Sequence, residues 1–364
     1  MADSKARVLV HGATGFTGQL VCRALSRRGI AFAISGRSRE RLDRLAREVG
    51  AAESHVVDVK EAESIASALE GRLMVLACAG PFVEVGEAVL ASCARRGIHY
   101  ADTTGEQRFV IDAKMRYGAT AEAKGACIVP AMAYEIAVAD WAAALASQRI
   151  GGTPDEINIL YAVRTGGGGG YGTATSRGTK LSALRMSGDP EPKQYVNGAL
   201  TTELTGEMVR SFALPNGKEV WAVSFPSPEA VCVPIHTKAQ TVRTFMAVGK
   251  SAADMTHLFR RVVPTLARTF GPMLAKRIAK GPEEASREST FVVLAEAVKD
   301  GRKETVSIVG KDPYGLTAEV QAYAASCALE NAIHVRGVGG PAFAFDAEPA
   351  LAELQNLGFV SSVG

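Results

Sequence analysis

The chain has 364 residues, a formal net charge of +3 and 47% apolar residues, as expected for a soluble globular protein. The small charge does not indicate a nucleic-acid partner, and the longest apolar window, 131–147, is too short and too polar to span a membrane. The N-terminus lacks the apolar core of a secretion signal, and six scattered cysteines lack metal-ligand spacing, so we expect a cytoplasmic protein without a metal site.

The first part of the chain, up to Pro130, alternates short apolar runs with helical patterns, which is typical of βαβ units. The predicted strands are 7–10, 31–34, 55–58, 73–78, 99–101 and 127–129. The predicted helices are 17–28, 39–49, 62–69, 87–96 and 108–124. These elements predict an α/β fold with an N-terminal Rossmann domain, a doubly wound parallel sheet whose ligands lie beyond the carboxyl ends of the strands.

The pattern changes after Pro130. A helix is predicted at 136–147, and alternating strands are predicted at 156–164, 218–224, 242–248, 291–298 and 305–309, followed by a helix at 316–331. Asp300-Gly301 between two of the strands indicates a hairpin. We predict a second α+β domain with a mixed or antiparallel sheet. The predicted boundaries are 1–130 for the Rossmann domain, 131–312 for the substrate domain, and 313–364 for a C-terminal segment returning to the Rossmann domain.

The segment VLVHGATGFTGQLV places three glycines between the first strand and the first helix. In such a turn the first glycine permits the tight bend, the second lets a pyrophosphate approach, and the third lets helix and strand pack closely. The helix N-terminus offers N–H groups and a partial positive charge to the phosphates. The predicted cofactor contacts here are Gly12, Ala13, Thr14, Gly15, Phe16, Thr17 and Gly18.

The segment SGRSRERL follows the second strand, where an NAD-binding domain carries a carboxylate for the ribose. Here the first carboxylate is Glu40, and the residues in its place are Ser35, Gly36, Arg37 and Ser38. A guanidinium gives planar, charge-assisted hydrogen bonds to a phosphate, so we predict that Arg37 binds the 2′-phosphate of NADP(H). We interpret Arg41, Arg44 and Arg47 as solvated residues of the following helix.

Two further segments end predicted strands at the same edge of the sheet. Asp58 either accepts a hydrogen bond from the adenine amino group or caps the next helix, and the sequence leaves both readings open. The ACAGPF segment brings four residues toward the nicotinamide half of the cofactor: Ala79, Gly80, Pro81 and Phe82.

Few residues are candidates for proton donation or for orienting the substrate. Tyr134 follows the last Rossmann strand and Tyr171 ends a glycine run, so either phenol could donate a proton, or could simply be a packed tyrosine. Asp102 and Glu106, in YADTTGE, either orient cofactor or substrate or form a turn and cap before the next helix. His236 is interpreted as a core or edge residue.

Three of these segments together resemble a known family: GATGFTG, SGRSRERL and AGPFVEVGEAVLASCARRGIHYADTTGE are similar to the saccharopine dehydrogenase-like oxidoreductases. RTGGGGGYGTATS and GKDPYGLTAEV resemble later segments of that family. Within it, the chain looks most like the trans-acting enoyl reductases of polyketide lipid assembly, although PAMAYEIAVAD departs from their pattern. The resemblance implies a Rossmann domain, a second α+β domain and NADP(H).

The predicted function is NADPH-dependent reduction of an activated C=C bond in a small acyl or polyketide-like molecule. One alternative is a saccharopine-reductase-like enzyme that reduces the C=N bond of an amino-acid imine, or an amino-acid dehydrogenase. The imine version requires a carboxylate clamp such as Arg164 or Arg177. Another is a non-catalytic protein that senses NADP(H). Strands 242–248 and 291–298 could form a sheet shared in a homodimer or belong to the core of a monomer.

Overall fold

The computed structural model describes residues 6–164, 188–189, 191–277 and 288–364. The chain forms two compact units, each assembled from separate segments. The N-terminal unit comprises Met1–Thr104, Arg108–Tyr134 and Tyr314–Phe345. The second unit comprises Gly105–Gln107, Glu135–Pro313 and Asp346–Gly364.

The N-terminal unit is built on a seven-stranded sheet in the order β15-β6-β5-β4-β1-β2-β3. Its strands are β1 (Val8–His11), β2 (Phe32–Gly36), β3 (Glu53–Val56), β4 (Met74–Ala77), β5 (His99–Asp102), β6 (Cys127–Val129) and β15 (Gly337–Val338). All neighbouring strands are parallel. The strand order reverses between β1 and β4, which confirms the doubly wound sheet and sets the ligand crevice at that point.

Helices cover this sheet: α1 (Phe16–Arg27), α2 (Arg39–Val49), α3 (Ala62–Ala68), α4 (Phe82–Val85), α5 (Glu87–Arg96), α6 (Gln107–Lys124), α11 (Pro313–Leu329) and α12 (Pro341–Ala344). Helix α2 shows why they form. Leu42, Leu45 and Val49 bury one face, the Ser38 hydroxyl accepts the N–H of Arg41, and Gly50 ends the helix in the left-handed region.

The third strand was predicted two residues too late. It ends at Val56 because Asp58 turns the chain: its carboxylate accepts the N–H of Lys60 at 3.0 Å, and its carbonyl accepts the N–H of Glu61. Such local bonds compete with strand pairing, and the apolar Val57 had obscured the turn in the sequence pattern.

The second unit contains a nine-stranded sheet with a main order β10-β11-β12-β7-β13-β14-β16. Its strands are β7 (Glu156–Arg164), β8 (Lys193–Val196), β9 (Ala199–Thr202), β10 (Val209–Ala213), β11 (Glu219–Ser224), β12 (Thr241–Val248), β13 (Thr290–Lys299), β14 (Arg302–Lys311) and β16 (Val360–Val363). Strands β7 and β12 are parallel and the other pairs are antiparallel, so the predicted mixed sheet is confirmed. Asp300 and Gly301 both have positive φ in the β13–β14 hairpin, as its two-residue turn requires.

The helices of the second unit are α7 (Tyr134–Ile150, beginning one residue before the unit), α8 (Glu229–Thr237), α9 (Lys250–Phe259), α10 (Val263–Arg277) and α13 (Ala347–Asn356). Helix α7 is buried along most of its length, including the fully buried Trp141. No helix among the described residues is both long enough and apolar enough to cross a bilayer.

Candidate functional site

The glycine turn between β1 and α1 has no room for side chains at two of its three glycines. Gly12 has φ of +77°, and a Cβ there would lie 2.7 Å from the backbone nitrogen of Ala79. A Cβ on Gly18 would lie 2.4 Å from the carbonyl oxygen of Gly12. Gly12 therefore allows contact with the segment after β4, and Gly18 allows α1 to pack against the turn, as the motif predicts.

Gly15 differs from its neighbours because it is exposed. A Cβ there would meet only the Gly12 carbonyl oxygen, at 3.3 Å. Gly15 is the N-cap of α1, whose first turn carries no acidic residue, and the first N–H groups of a helix have no acceptor within it. The space in front of Gly15, Phe16 and Thr17 thus suits a pyrophosphate.

The ends of β1 and β2 are joined beneath this turn. The carbonyl of Ser35 accepts the N–H groups of Gly12 and Ala13 at 2.9 and 3.1 Å. The Ser35 hydroxyl lies 3.0 Å from Nδ1 of His11, and burial lowers the pKa of His11 to about 4, so that the ring is neutral at physiological pH. Ser35 is fully buried, so the geometry supports a role in shaping the turn. Its contact with the cofactor stays a prediction.

Arg37 lies in the turn after β2 with its side chain exposed. In the part of the chain that the structure describes, its guanidinium has neither a hydrogen bond nor an ion pair. Gly36 beside it faces the glycine turn, since a Cβ there would lie 3.5 Å from the Thr14 hydroxyl. An uncommitted guanidinium at this position fits a 2′-phosphate.

Arg41 was interpreted as a solvated helix residue, and that reading was incomplete. Although its side chain is exposed, its Nη2 donates to the carbonyl of Thr14 at 2.6 Å, so Arg41 lies against the glycine turn. Arg41 lies in the first turn of α2, directly after the N-cap Ser38 and Arg39–Glu40. Ser38, between β2 and α2, caps α2 with its hydroxyl.

The other predicted cofactor residues lie after β3 and β4. Asp58 is exposed, and its carboxylate is engaged in the turn before α3. Ala79 contacts Gly12, the Gly80–Pro81 peptide bond is cis, and the buried ring of Phe82 packs on Phe109 with centroids 5.6 Å apart. The direct cofactor contacts of this group stay predictions.

Asp102 is fully buried at the end of β5. One carboxylate oxygen accepts the N–H groups of Thr104 and Ala131, both at 2.9 Å, and the Asp102 carbonyl accepts from the side chain of Gln321 at 3.0 Å. Ala131 has φ of +63°, a conformation unusual for alanine, and this hydrogen bond helps to hold it. The geometry supports the turn reading for Asp102, and an orienting role stays a prediction.

Of the remaining candidates, Glu106 is buried just before α6, and Tyr134 is half-buried at the start of α7, where its N–H donates to the Thr317 hydroxyl at 3.0 Å. Tyr171 and Arg177 lie outside the described residues. In the described part of the chain, no group of three or more potential ligand side chains could hold a metal ion.

A cluster of buried carboxyl groups in the second unit escaped the sequence reasoning. Asp140 is fully buried, with its Oδ1 2.6 Å from Nε2 of His236. Glu229 is also fully buried and accepts a hydrogen bond from the Ser227 hydroxyl through Oε2, while its Oε1 has no partner among the described residues. Burial, followed by the charges of Asp140 and Glu135, raises the pKa of Glu229 well above its usual value.

Glu135, half-buried in the first turn of α7, belongs to the same cluster. Burial raises its pKa from 4.5 to about 7, against the opposing effect of a backbone hydrogen bond. A carboxyl group with a pKa near neutrality is suited to both holding and releasing a proton. The cluster was not recognisable in the sequence because its two parts, 135–140 and 227–236, are far apart along the chain.

The titration of Glu135 should make stability depend on pH. The folded chain keeps its proton up to about pH 7, whereas the unfolded chain loses it near 4.5. This proton therefore stabilises the fold fully below about pH 4.5, and the contribution is lost as the pH rises through about 7. In Glu135→Gln, the fall in the free energy of unfolding over this window should shrink by about 3 kcal/mol.

Chemical denaturation at a series of pH values measures this effect. Glu40→Gln, at an exposed position of α2, is the control and should retain the wild-type pH dependence. If the free energy of unfolding of Glu135→Gln fell with pH as steeply as that of the wild type, Glu135 would not have the raised pKa.

The segment that carries the glycine turn is similar to a known protein family. Residues 8–129 match the family model of the saccharopine dehydrogenase NADP binding domain. This part of the N-terminal unit is thus similar to the NADP-binding domain of saccharopine dehydrogenases. The predicted family resemblance and the predicted NADP(H) cofactor are thereby confirmed.

The similarity to curated proteins covers more residues than the NADP-binding domain alone. Over 203 residues the chain is 27% identical to the Homo sapiens saccharopine dehydrogenase-like oxidoreductase, covering 50% of this chain and 46% of that protein. Over 222 residues it is 29% identical to a trans-acting enoyl reductase of Mycobacterium ulcerans, covering 57% and 52%. The chain thus spans about half the length of these curated relatives.

Among solved structures, the chain resembles apo saccharopine dehydrogenase (L-Glu forming) from Saccharomyces cerevisiae, with a TM-score of 0.64 over 99% of both chains. The sequence identity is 13%, so this likeness shows the fold alone. Because the match covers 99% of this chain, it includes the second unit as well as the N-terminal one.

Proposed function

We propose that the protein is an NADPH-dependent reductase that acts on an activated C=C bond of an acyl or polyketide-like substrate. The observation that carries the coenzyme assignment is the exposed guanidinium of Arg37, in a turn with no carboxylate before Glu40. A carboxylate there would favour NADH, whereas a guanidinium favours the additional phosphate of NADPH.

NADPH, when bound, supplies the hydride. The chain positions it: Gly15 and the N-terminus of α1 bind the pyrophosphate, Arg37 binds the 2′-phosphate, and Arg41 holds the glycine turn against α2. Predicted contacts from the segment after β4 complete the nicotinamide side.

The likeness to a trans-acting enoyl reductase supports a C=C substrate. An amino-acid imine would require cations for its carboxylates. Arg210 and Arg243 are each paired with a glutamate, at 2.7 and 3.0 Å, and so offer no clamp. Arg164 is exposed at the end of β7. A neutral acyl chain needs no such clamp.

Reduction of a polarised C=C bond also requires a proton. Tyr134 is our predicted donor from the sequence, with Tyr171 as the second candidate. The pKa of about 7 adds Glu135, the neighbour of Tyr134, as a third. Asp102 and Glu106 remain proposed orienting groups. A cytoplasmic location completes the proposal.

The test is a titration with NADPH and NADH followed by nicotinamide fluorescence, and then NADPH consumption with two substrate panels. One panel contains enoyl thioesters and the other contains amino acids mixed with aldehydes. We expect NADPH to bind at least about tenfold more tightly than NADH, through the charge-assisted bonds of Arg37, and to be consumed with enoyl thioesters.

Consumption with the imine panel alone would replace the enoyl proposal with the C=N alternative. Tight NADPH binding without turnover on either panel would favour the sensor. Equal binding of both coenzymes would contradict the role of Arg37.

A further inference from the structure

Large exposed apolar side chains are concentrated on two consecutive helices of the second unit, α9 and α10, and on the short link between them. The eight residues between 39% and 68% exposed are Met255, Leu258, Phe259, Val262, Val263, Leu266, Phe270 and Met273, and we call them the apolar stripe. Elsewhere in the described residues, large exposed apolar side chains are scattered, as with Met115 and Leu357. Eight large exposed apolar side chains within 19 successive residues indicate an interaction surface.

The stripe follows the helical repeat. On α10, Val263, Leu266, Phe270 and Met273 are spaced by three, four and three residues, so they lie on one face. On α9, the spacing of Met255, Leu258 and Phe259 has the same effect. These positions are what an amphipathic helix normally buries.

Helix α9 is attached to its own unit by the other side. Ala253 is buried, Nδ1 of His257 lies 2.8 Å from the carbonyl of Gly206, and Nε of Arg260 donates to Glu207 at 3.1 Å. The polar and small residues thus face the protein, and the large apolar ones face away. This is the reverse of an ordinary surface helix, which buries its apolar face.

The charge of the same segment indicates what covers the stripe. Residues 250–277 contain six lysines and arginines against one acidic residue, Asp254, a formal charge of +5 in a chain whose total is +3. Arg261 and Arg268 are exposed among the apolar positions. Basic residues beside exposed Leu, Met and Phe on helices are typical of segments that lie in the interface of an anionic bilayer.

We propose that α9 and α10 dock the protein on an anionic lipid surface, with the apolar stripe inserted at the level of the headgroups and the arginines beside the lipid phosphates. The helices lie in the plane of the interface. This docking would bring the enzyme to substrates held in a membrane, and it is independent of the coenzyme site.

Co-sedimentation of the full chain with lipid vesicles tests the proposal. Vesicles of phosphatidylcholine alone are compared with vesicles containing about 30% phosphatidylserine, which supplies the negative surface potential. We expect binding to the anionic vesicles that is at least about tenfold tighter than to neutral ones and is weakened by salt, since each basic residue near the surface contributes about fivefold.

Two variants separate the apolar and the charged contributions. The double variant Leu266→Asp/Phe270→Asp should lower vesicle affinity by at least about tenfold. Arg261→Glu/Arg268→Glu should lower it for anionic vesicles only. Met115→Asp, at the 79% exposed position on α6, is the matched control and should bind like the wild type. Thermal unfolding and NADPH titration check that each variant is folded.

Absence of vesicle binding would overturn the proposal, as would equal binding to neutral and anionic vesicles. Sedimentation velocity in the absence of lipid tests whether a second copy of the chain, instead of a lipid surface, covers the apolar stripe. A dimer dispersed by Leu266→Asp/Phe270→Asp, without vesicle binding, would assign the stripe to a second copy of the chain. Failure of NADPH turnover would leave this result unaffected, because the vesicle assay needs no substrate.

Discussion

Replacing Gly12 with alanine should lower the affinity for NADPH by about a hundredfold or more and destabilise the N-terminal unit. The new Cβ would lie 2.7 Å from both the nitrogen and the Cβ of Ala79, and the φ of +77° is unfavourable for alanine. The turn must move away from the end of β4, which displaces the N-terminus of α1 from the pyrophosphate. NADPH fluorescence titration and chemical denaturation measure the two effects.

Gly29→Ala is the matched control. Gly29 has a similar φ of +66°, but its new Cβ would have no neighbour within 4 Å. The cost there is the conformational strain alone, about 1 kcal/mol of stability, with NADPH affinity unchanged. If the two variants behave alike, the effect at Gly12 comes from its backbone conformation and not from the contact with Ala79.

Replacing Arg37 with aspartate should reverse the choice of coenzyme. We expect NADPH affinity to fall by about a hundredfold, equivalent to about 3 kcal/mol, because a charge-assisted contact is lost and a like charge faces the 2′-phosphate. NADH lacks that phosphate, and its ribose can bind the new carboxylate, so its affinity should stay the same or rise. Parallel fluorescence titrations with the two coenzymes measure the ratio.

Arg44→Asp makes the same change of charge at another exposed position of α2. It should alter both affinities by less than about threefold, because screening weakens distant exposed charges. A similar loss of NADPH affinity in both variants would indicate a general effect of local potential, and a parallel loss of NADH would place Arg37 elsewhere than at the 2′-phosphate.

The N-terminal unit was predictable because its signals are local. Buried parallel strands such as β1 and β4 are continuous apolar runs, and glycine turns and charged helices separate them. In the second unit, β8, β9 and β10 were missed. They are short, and all four residues of β9 are exposed, so no apolar alternation marks them. Helices α9 and α10 were missed although their apolar residues recur every three or four positions, so this local signal was overlooked.

The glycine turn was also predictable from local signals, because Gly12, Gly15 and Gly18 act through backbone geometry that a short motif encodes. His11 and Ser35 were not recognisable as partners, because their contact needs the pairing of β1 with β2. The cluster of buried carboxyl groups was not recognisable from the sequence either. Asp140 and His236 are 96 residues apart, and their 2.6 Å contact exists only in the fold.

The N-terminal unit is not one continuous piece of chain, and this affects how it can form during synthesis. Its edge strand β15 pairs with β6 only once Gly337 and Val338 have been made, and Glu319 of α11 forms ion pairs with Arg27 and Arg28 at 2.5 and 2.8 Å. A nascent chain that already contains the whole glycine turn still lacks these partners while the second unit is translated. Transfer of residues 8–129 alone would keep β5 beside β6 but leave out β15, which pairs with the other edge of β6, so we expect the coenzyme module to depend on its distant tail.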